Sequence, residues 1–281
     1  MSQGNQPMTG FAELADRVYL LRYPVLDVNV TLVVGDGAAL VVDTLSTPDQ
    51  AVELAGAIRA VTAEPLTIVN THHHFDHCFG NATLAGPATP VWGHELAAEH
   101  LRDAGTRWQR QWYEQWREAE PELADGLAEA IIRPPDRIVH RSADLDIGGR
   151  PVLLRHFGRG HTDADLVVLV PDVDVVLAGD LVEESGPPDF GDAYPLEWPE
   201  TLAALAHQLS PASRVVPGHG APVDRVFVQA QHARLTELDW LIRDGHADGA
   251  PMEAVAARSP FGADASLVAV KRGYAELSGR V

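Results

Sequence analysis

Short, almost continuous apolar runs alternate along this chain with longer segments in which apolar residues recur every three or four positions. The runs at 18–21, 28–34 and 38–43 read as strands, the last two joined by a tight turn at Gly35-Asp36-Gly37. A helix is expected next. Thr47 stands at the cap position, Pro48 at the first helical position and Gln50 three residues after the cap, and Ala51, Leu54, Ala55, Ile58 and Val61 then keep helical spacing. The run at 66–69 reads as a buried strand and 91–92 as another short one. From 95 to 119 the pattern is helical, with Trp108, Trp112 and Trp116 on one face; Pro121 interrupts it, a helical stretch resumes over 123–132, and Pro134-Pro135 end it. Strands are expected again at 137–140, 144–147 and 152–156, with a Gly148-Gly149 hairpin turn, then at 166–170 and 173–178. Helices are expected at 199–209, at 223–243 and within 252–277. Strands alternating with helices predict a layered α/β fold.

At 281 residues and 46% hydrophobic, the chain can bury a large core, and no long linker divides it. A single domain over 1–281 is expected, with a helical insertion at about 94–132 and C-terminal helices at about 223–278. Residues up to Gly10 read as a loose terminus. They show neither the basic segment nor the apolar core of a signal peptide, and no apolar run reaches about 18 residues, so a soluble, cytoplasmic protein is expected. A formal charge of -19 repels phosphate backbones and anionic lipid, which predicts neither nucleic acid nor membrane as partner. Cys78 is the only cysteine, which excludes an intrachain disulfide. It follows His77, and a small buried residue beneath the loop is expected there rather than an extra ligand or redox sensor.

The chemistry concentrates where the 66–69 strand stops, at Thr71-His72-His73-His74-Phe75-Asp76-His77. Residues two apart in extended chain point the same way, so His72 and His74 can share one metal ion while His73 points elsewhere. Asp76 and His77 follow a turn and can serve a second ion, roughly 3.5–4 Å from the first in sites of this kind. Three later stretches repeat one design of strand, glycine and a single ligand-type side chain at the tip. They are Gly158-Arg159-Gly160-His161, Gly179-Asp180 and Pro217-Gly218-His219-Gly220. Four strand ends, these three and the one before His72, converging on one edge of a sheet would collect His72, His74, Asp76, His77, His161, Asp180 and His219, seven ligands for two ions.

His-x-His-x-Asp-His, then Gly-His-Thr, Gly-Asp and Gly-His-Gly, in that order, resemble the metallo-β-lactamase-fold hydrolase superfamily, glyoxalase II-like members included. The resemblance implies a four-layer αββα sandwich. It implies that His72, His74 and His161 hold one ion, that Asp76, His77 and His219 hold the other, and that Asp180 bridges them. Asp43, closing the strand before the first helix, matches an early aspartate of the family that orients a ligand histidine. Two zinc ions are the expected cofactors, with iron or manganese as alternatives. A hydroxide held between them would attack the carbonyl of a small ester, lactone, thioester or amide-type substrate, with Asp76 moving the proton. An aspartate at position 180 resembles the esterase, lactonase and thioesterase-like branches rather than the β-lactamases. Glu183-Glu184-Ser185-Gly186 stands where glyoxalases II resemble Gly-Cys-Gly-Arg. A β-lactamase, dedicated or promiscuous, and a mononuclear iron persulfide dioxygenase on the same fold are the alternatives.

Substrate choice points to the Gly/Pro-rich stretch after Asp180, with Glu183, Glu184, Asp189, Phe190, Asp192, Tyr194 and Trp198. Tyr194 is singled out as a phenol able to donate to an oxyanion or a substrate carbonyl. The tryptophan stripe fits a pocket wall, a helix packed on the body of the protein, or a homodimer contact. Asp163 and Asp165 depart from the family pattern after Gly-His-Thr and read as solvated or capping residues.

Overall fold

The computed structural model describes residues 10–279, so the loose terminus expected before Gly10 lies outside the described residues. The chain forms two compact units, one taking in residues up to His156 together with Val168–Val173, the other Phe157–Val167 with Asp174 onward.

The first unit begins with β1 (Ala12–Ala15), a strand too short and mixed to show in the pattern, followed by β2 (Val18–Tyr23), β3 (Val28–Val34) and β4 (Ala39–Val42). These four are joined antiparallel in sequence order. β3 and β4 are buried along their whole length, as uninterrupted apolar runs require. Helix α1 (Pro48–Val61) starts as expected: the Thr47 hydroxyl accepts the Gln50 N–H, while Gln50 reaches back to the Ser46 N–H, one residue before the cap. The helix returns the chain to β5 (Leu66–Val69), parallel to β4, and Leu54 and Ile58 join the strand side chains in one core cluster.

Beyond the ligand loop come the single turns α2 (Phe75–Cys78) and α3 (Asn81–Leu84), then β6 (Val91–His94). Helix α4 (Glu95–Trp116) starts with the His94 imidazole accepting the Leu96 N–H, and α5 (Pro121–Glu129) follows. Strand β7 (Arg137–Val139) extends the parallel set β4, β5, β6, β7. β8 (Ser142–Ile147) and β9 (Arg150–Arg155) form an antiparallel hairpin over Gly148-Gly149, both at positive φ, and β10 (Val167–Val170) neighbours β9.

The second unit is built on the parallel pair β11 (Val175–Glu183) and β12 (Arg214–His219), with α6 (Trp198–Ala206) between them in sequence. Helix α7 (Arg225–Ala247) is capped by Asp224 and packs against α6; the 252–277 stretch is broken into α8 (Met252–Ala256) and α9 (Ala263–Leu277). The strand expected at 173–178 instead runs to Glu183, because Leu181 and Val182 continue the buried apolar run past Gly179 and Asp180. Among the described residues no helix is long and apolar enough to cross a membrane.

Candidate metal centre

In the first unit the chain leaves β5 at Asn70, and the extended stretch ends at His74, which begins the α2 turn carrying Asp76 and His77. The His72 ring centroid lies 4.7 Å from that of His74 and 4.3 Å from that of His77, while His73 turns away to stack on Trp108 at 4.9 Å. Two donors hold the His77 carbonyl, the Thr44 N–H at 2.9 Å and the Asn70 amide at 3.2 Å, while the Thr44 hydroxyl gives its proton to the Asn81 side chain at 3.0 Å. The turn is therefore fixed by its backbone, leaving the side chains to chemistry.

Asp43 lies beneath these imidazoles, 2% exposed and at φ 67°, a left-handed conformation that aspartate tolerates. Its carboxylate accepts the Thr71 N–H, the Thr71 hydroxyl and the His77 Nδ1–H, each at 2.8 Å. With its one proton given to Asp43, the Thr71 oxygen accepts from His72 Nδ1 at 3.0 Å. Both imidazoles thus spend their proton at Nδ1 and keep a lone pair at Nε2, the tautomer a metal ligand needs. Burial pushes the Asp43 carboxyl up from its ordinary range, and the bonds from His77 and Thr71 pull it back. Cys78 is buried, with its thiol directed to the His73 and His74 carbonyls and its ionisation pushed well up by burial, then by Asp43 and Asp76. That is the inert packing residue expected.

In the second unit Asp180 is not at a strand tip but inside β11, where the register with β12 slips on either side of Gly179 and re-aims the side chain. Its Oδ2 lies 3.4 Å from His219 Nε2 and 3.7 Å from His161 Nε2. Gly218 makes room for it, since a Cβ there would fall 1.7 Å from Asp180 Oδ1. His161 stands six residues beyond β9, on a loop of its own rather than at the tip of that strand. The loop is tied by Asp165, which accepts the Thr162 N–H at 2.8 Å and the Thr162 hydroxyl at 2.7 Å. Asp165 therefore braces the loop and is buried rather than solvated. Trp198 closes the other side: its ring lies 5.8 Å from that of His161 and its indole N–H donates to the Leu181 carbonyl at 3.2 Å.

These donors fit a divalent cation. Two ligands about 2.1 Å from one ion at the tetrahedral angle stand about 3.4 Å apart. The His219–Asp180 distance equals that value, and His77 Nε2 to Asp76 Oδ2, at 3.6 Å, is close to it. Neutral imidazoles mixed with carboxylates suit zinc, iron or manganese.

The sequence from residue 23 to 219 matches the family model described as the metallo-beta-lactamase superfamily. This chain belongs to the metallo-beta-lactamase superfamily. It is a superfamily of metal-dependent hydrolases with an α/β sandwich fold. A metallo-beta-lactamase type 2 of Bacillus cereus is 33% identical over 161 residues, 56% of this chain and 53% of the relative. Metallo-beta-lactamase IND-1 of Chryseobacterium indologenes is 34% identical over 85 residues, 29% of this chain and 36% of the relative. The match thus spans about half or less of these relatives' length. Among solved structures, a metallo-beta-lactamase from Pontibacter korlensis shares the fold with a TM-score of 0.63 at 21% identity, covering 80% of this chain and 98% of that one. A double mutant of the sec-alkyl sulfatase PisA1 does so with a TM-score of 0.76 at 18% identity, covering 96% of this chain and 50% of that one.

Sequence reasoning left out Thr71 as the link between Asp43 and His72, and it could not rank Glu183. Neither carries a motif, and a threonine before a histidine run is a weak signal by itself. Tyr194 belongs to the same unit as His161, Asp180 and His219: its N–H donates to the Gly160 carbonyl at 2.8 Å, next to His161. Its ring is held under the Arg159 guanidinium at 4.3 Å and near that of Arg272 at 5.7 Å. Burial, then the charge of Asp163, pushes its phenol up against the pull of Arg159, so it stays a donor at neutral pH.

Proposed function

We propose that this chain is a binuclear metal-dependent hydrolase that attacks the carbonyl carbon and breaks the acyl bond to the leaving group of a small ester, lactone, thioester or amide-type substrate. His72, His74 and His161 would hold one ion and Asp76, His77 and His219 the other, with Asp180 shared and zinc the first candidate. The observation that carries this reading is the single Asp180 oxygen facing two imidazole nitrogens at ligand–ligand spacing. When bound, such a pair of ions supplies an acidified water and a Lewis acid for the carbonyl oxygen.

The protein's own groups do the rest. Asp43 and Thr71 orient His77 and His72, and Asp165 ties the His161 loop; Asp76 would hold the proton taken from water. Tyr194, kept protonated, is the donor for a developing oxyanion.

The curated relatives named as β-lactamases favour a second reading, hydrolysis of a β-lactam amide. Asp180 weighs against it as the main activity, since an aspartate there resembles the esterase, lactonase and thioesterase-like branches. A panel of chromogenic esters, lactones, thioesters, a secondary alkyl sulfate and a cephalosporin tests both. At least one carbonyl substrate of the first three classes should exceed the cephalosporin by a hundredfold or so in kcat/KM. Cephalosporin turnover as the strongest activity would make the β-lactamase reading the better one, and preference for the sulfate would sink the carbonyl assignment.

A further inference from the structure

Glu183 is a carboxylate that the seven ligands leave out. It ends β11, pairs in register with His219, and is only 9% exposed. In a regular strand it would face away from Asp180, three residues earlier, because side chains alternate between faces. The register slip between Gly179 and Glu183 brings the two to one side. Ligand atoms of Asp180, Glu183 and His219 all lie within 4.8 Å of one another. The backbone is fastened there by Gln231 of α7, whose amide accepts the Glu183 N–H at 3.1 Å and donates to the Leu181 carbonyl at 2.8 Å.

Two carboxylates brought this close and away from water repel strongly, and a cation among them turns that repulsion into attraction. We propose that Glu183 is a further ligand of the ion held by Asp180 and His219, which rests on the metal-dependent reading above. Added to Asp76, His77, His219 and Asp180, Glu183 would give this ion three carboxylates and two imidazoles, a harder donor set than the three imidazoles proposed for the other ion, so the ion at this position should be exchanged more readily for manganese or iron.

The test uses the full chain as wild type, Glu183→Gln, Glu183→Asp and Asp180→Ala, each checked for an unchanged melting profile. Metal retained per chain is measured by mass spectrometry after dialysis against a graded series of chelator, and the visible spectrum is recorded after cobalt(II) substitution. Glu183→Gln should reach the wild-type number of ions at saturation yet lose one at a chelator concentration roughly ten- to a hundredfold lower, with a displaced cobalt spectrum. Glu183→Asp should fall between the two. A Glu183→Gln protein with wild-type retention and spectrum, beside an Asp180→Ala protein that loses metal, would overturn the proposal while leaving the metal-dependent reading standing. A wild type that binds no metal would overturn both.

Discussion

The position of single protons decides what His72 and His77 can bind. Asp43 accepts from His77 directly and from His72 through Thr71, and each bond holds the ring proton on Nδ1, the side facing away from the proposed metal. Asp43→Asn places an amide that can donate where only acceptance fits, so His77 loses the tautomer that ligates. Metal affinity measured by chelator competition should fall roughly ten- to a hundredfold with the fold retained. Tyr194→Phe removes a donor and keeps the packing between Arg159 and Arg272. It should lower kcat by about tenfold or more with little change in KM; an unchanged kcat would make Tyr194 a packing residue. The seven candidate ligands stood out because they sit in local patterns. Thr71, Asp165 and Glu183 were not, because their roles come from what lies opposite them after folding.

At the scale of elements, two strands and one helix do the positioning. The close approach of β12 to Asp180 exists only because residue 218 has no side chain. Gly218→Ala puts a carbon inside the contact distance of Asp180 Oδ1, so the carboxylate must leave its place between His161 and His219. Loss of hydrolysis by more than tenfold, at near wild-type circular dichroism, is expected. Helix α4 lays its tryptophan stripe on the ligand loop of its own unit: Trp108 stacks on His73, and Trp112 packs on Phe75 at 5.0 Å with its edge toward His74 at 6.2 Å. Trp112→Ala should cost about 2 kcal/mol in thermal or denaturant unfolding, less than a fully buried tryptophan because the ring is half-buried. No loss of stability would contradict the packing role. The helices and most strands followed from apolar spacing. β1 did not, being four mixed residues, and the end of β11 did not, because Gly179-Asp180 looks like a stop until Leu181 and Val182 are seen to stay buried.

At the scale of the whole molecule, a formal charge of -19 is carried by a chain whose proposed reaction centre is cationic when loaded. Some of the carboxylates outside it sit in ordinary ion pairs such as Arg22–Asp27 and Arg243–Asp239, which contribute little to stability. The superfamily assignment fixes the fold, and the proposal of two metal ions is what gives the residue-level roles their meaning. The measurement that reaches this most directly is metal content by mass spectrometry on protein purified without added metal, with His72→Ala and Asp180→Ala purified alongside. About two zinc ions per wild-type chain, halved or lost in the variants, is the expected result. One iron per chain would move the account to the dioxygenase chemistry, and a wild type with no bound metal that still hydrolyses its substrate would contradict it outright.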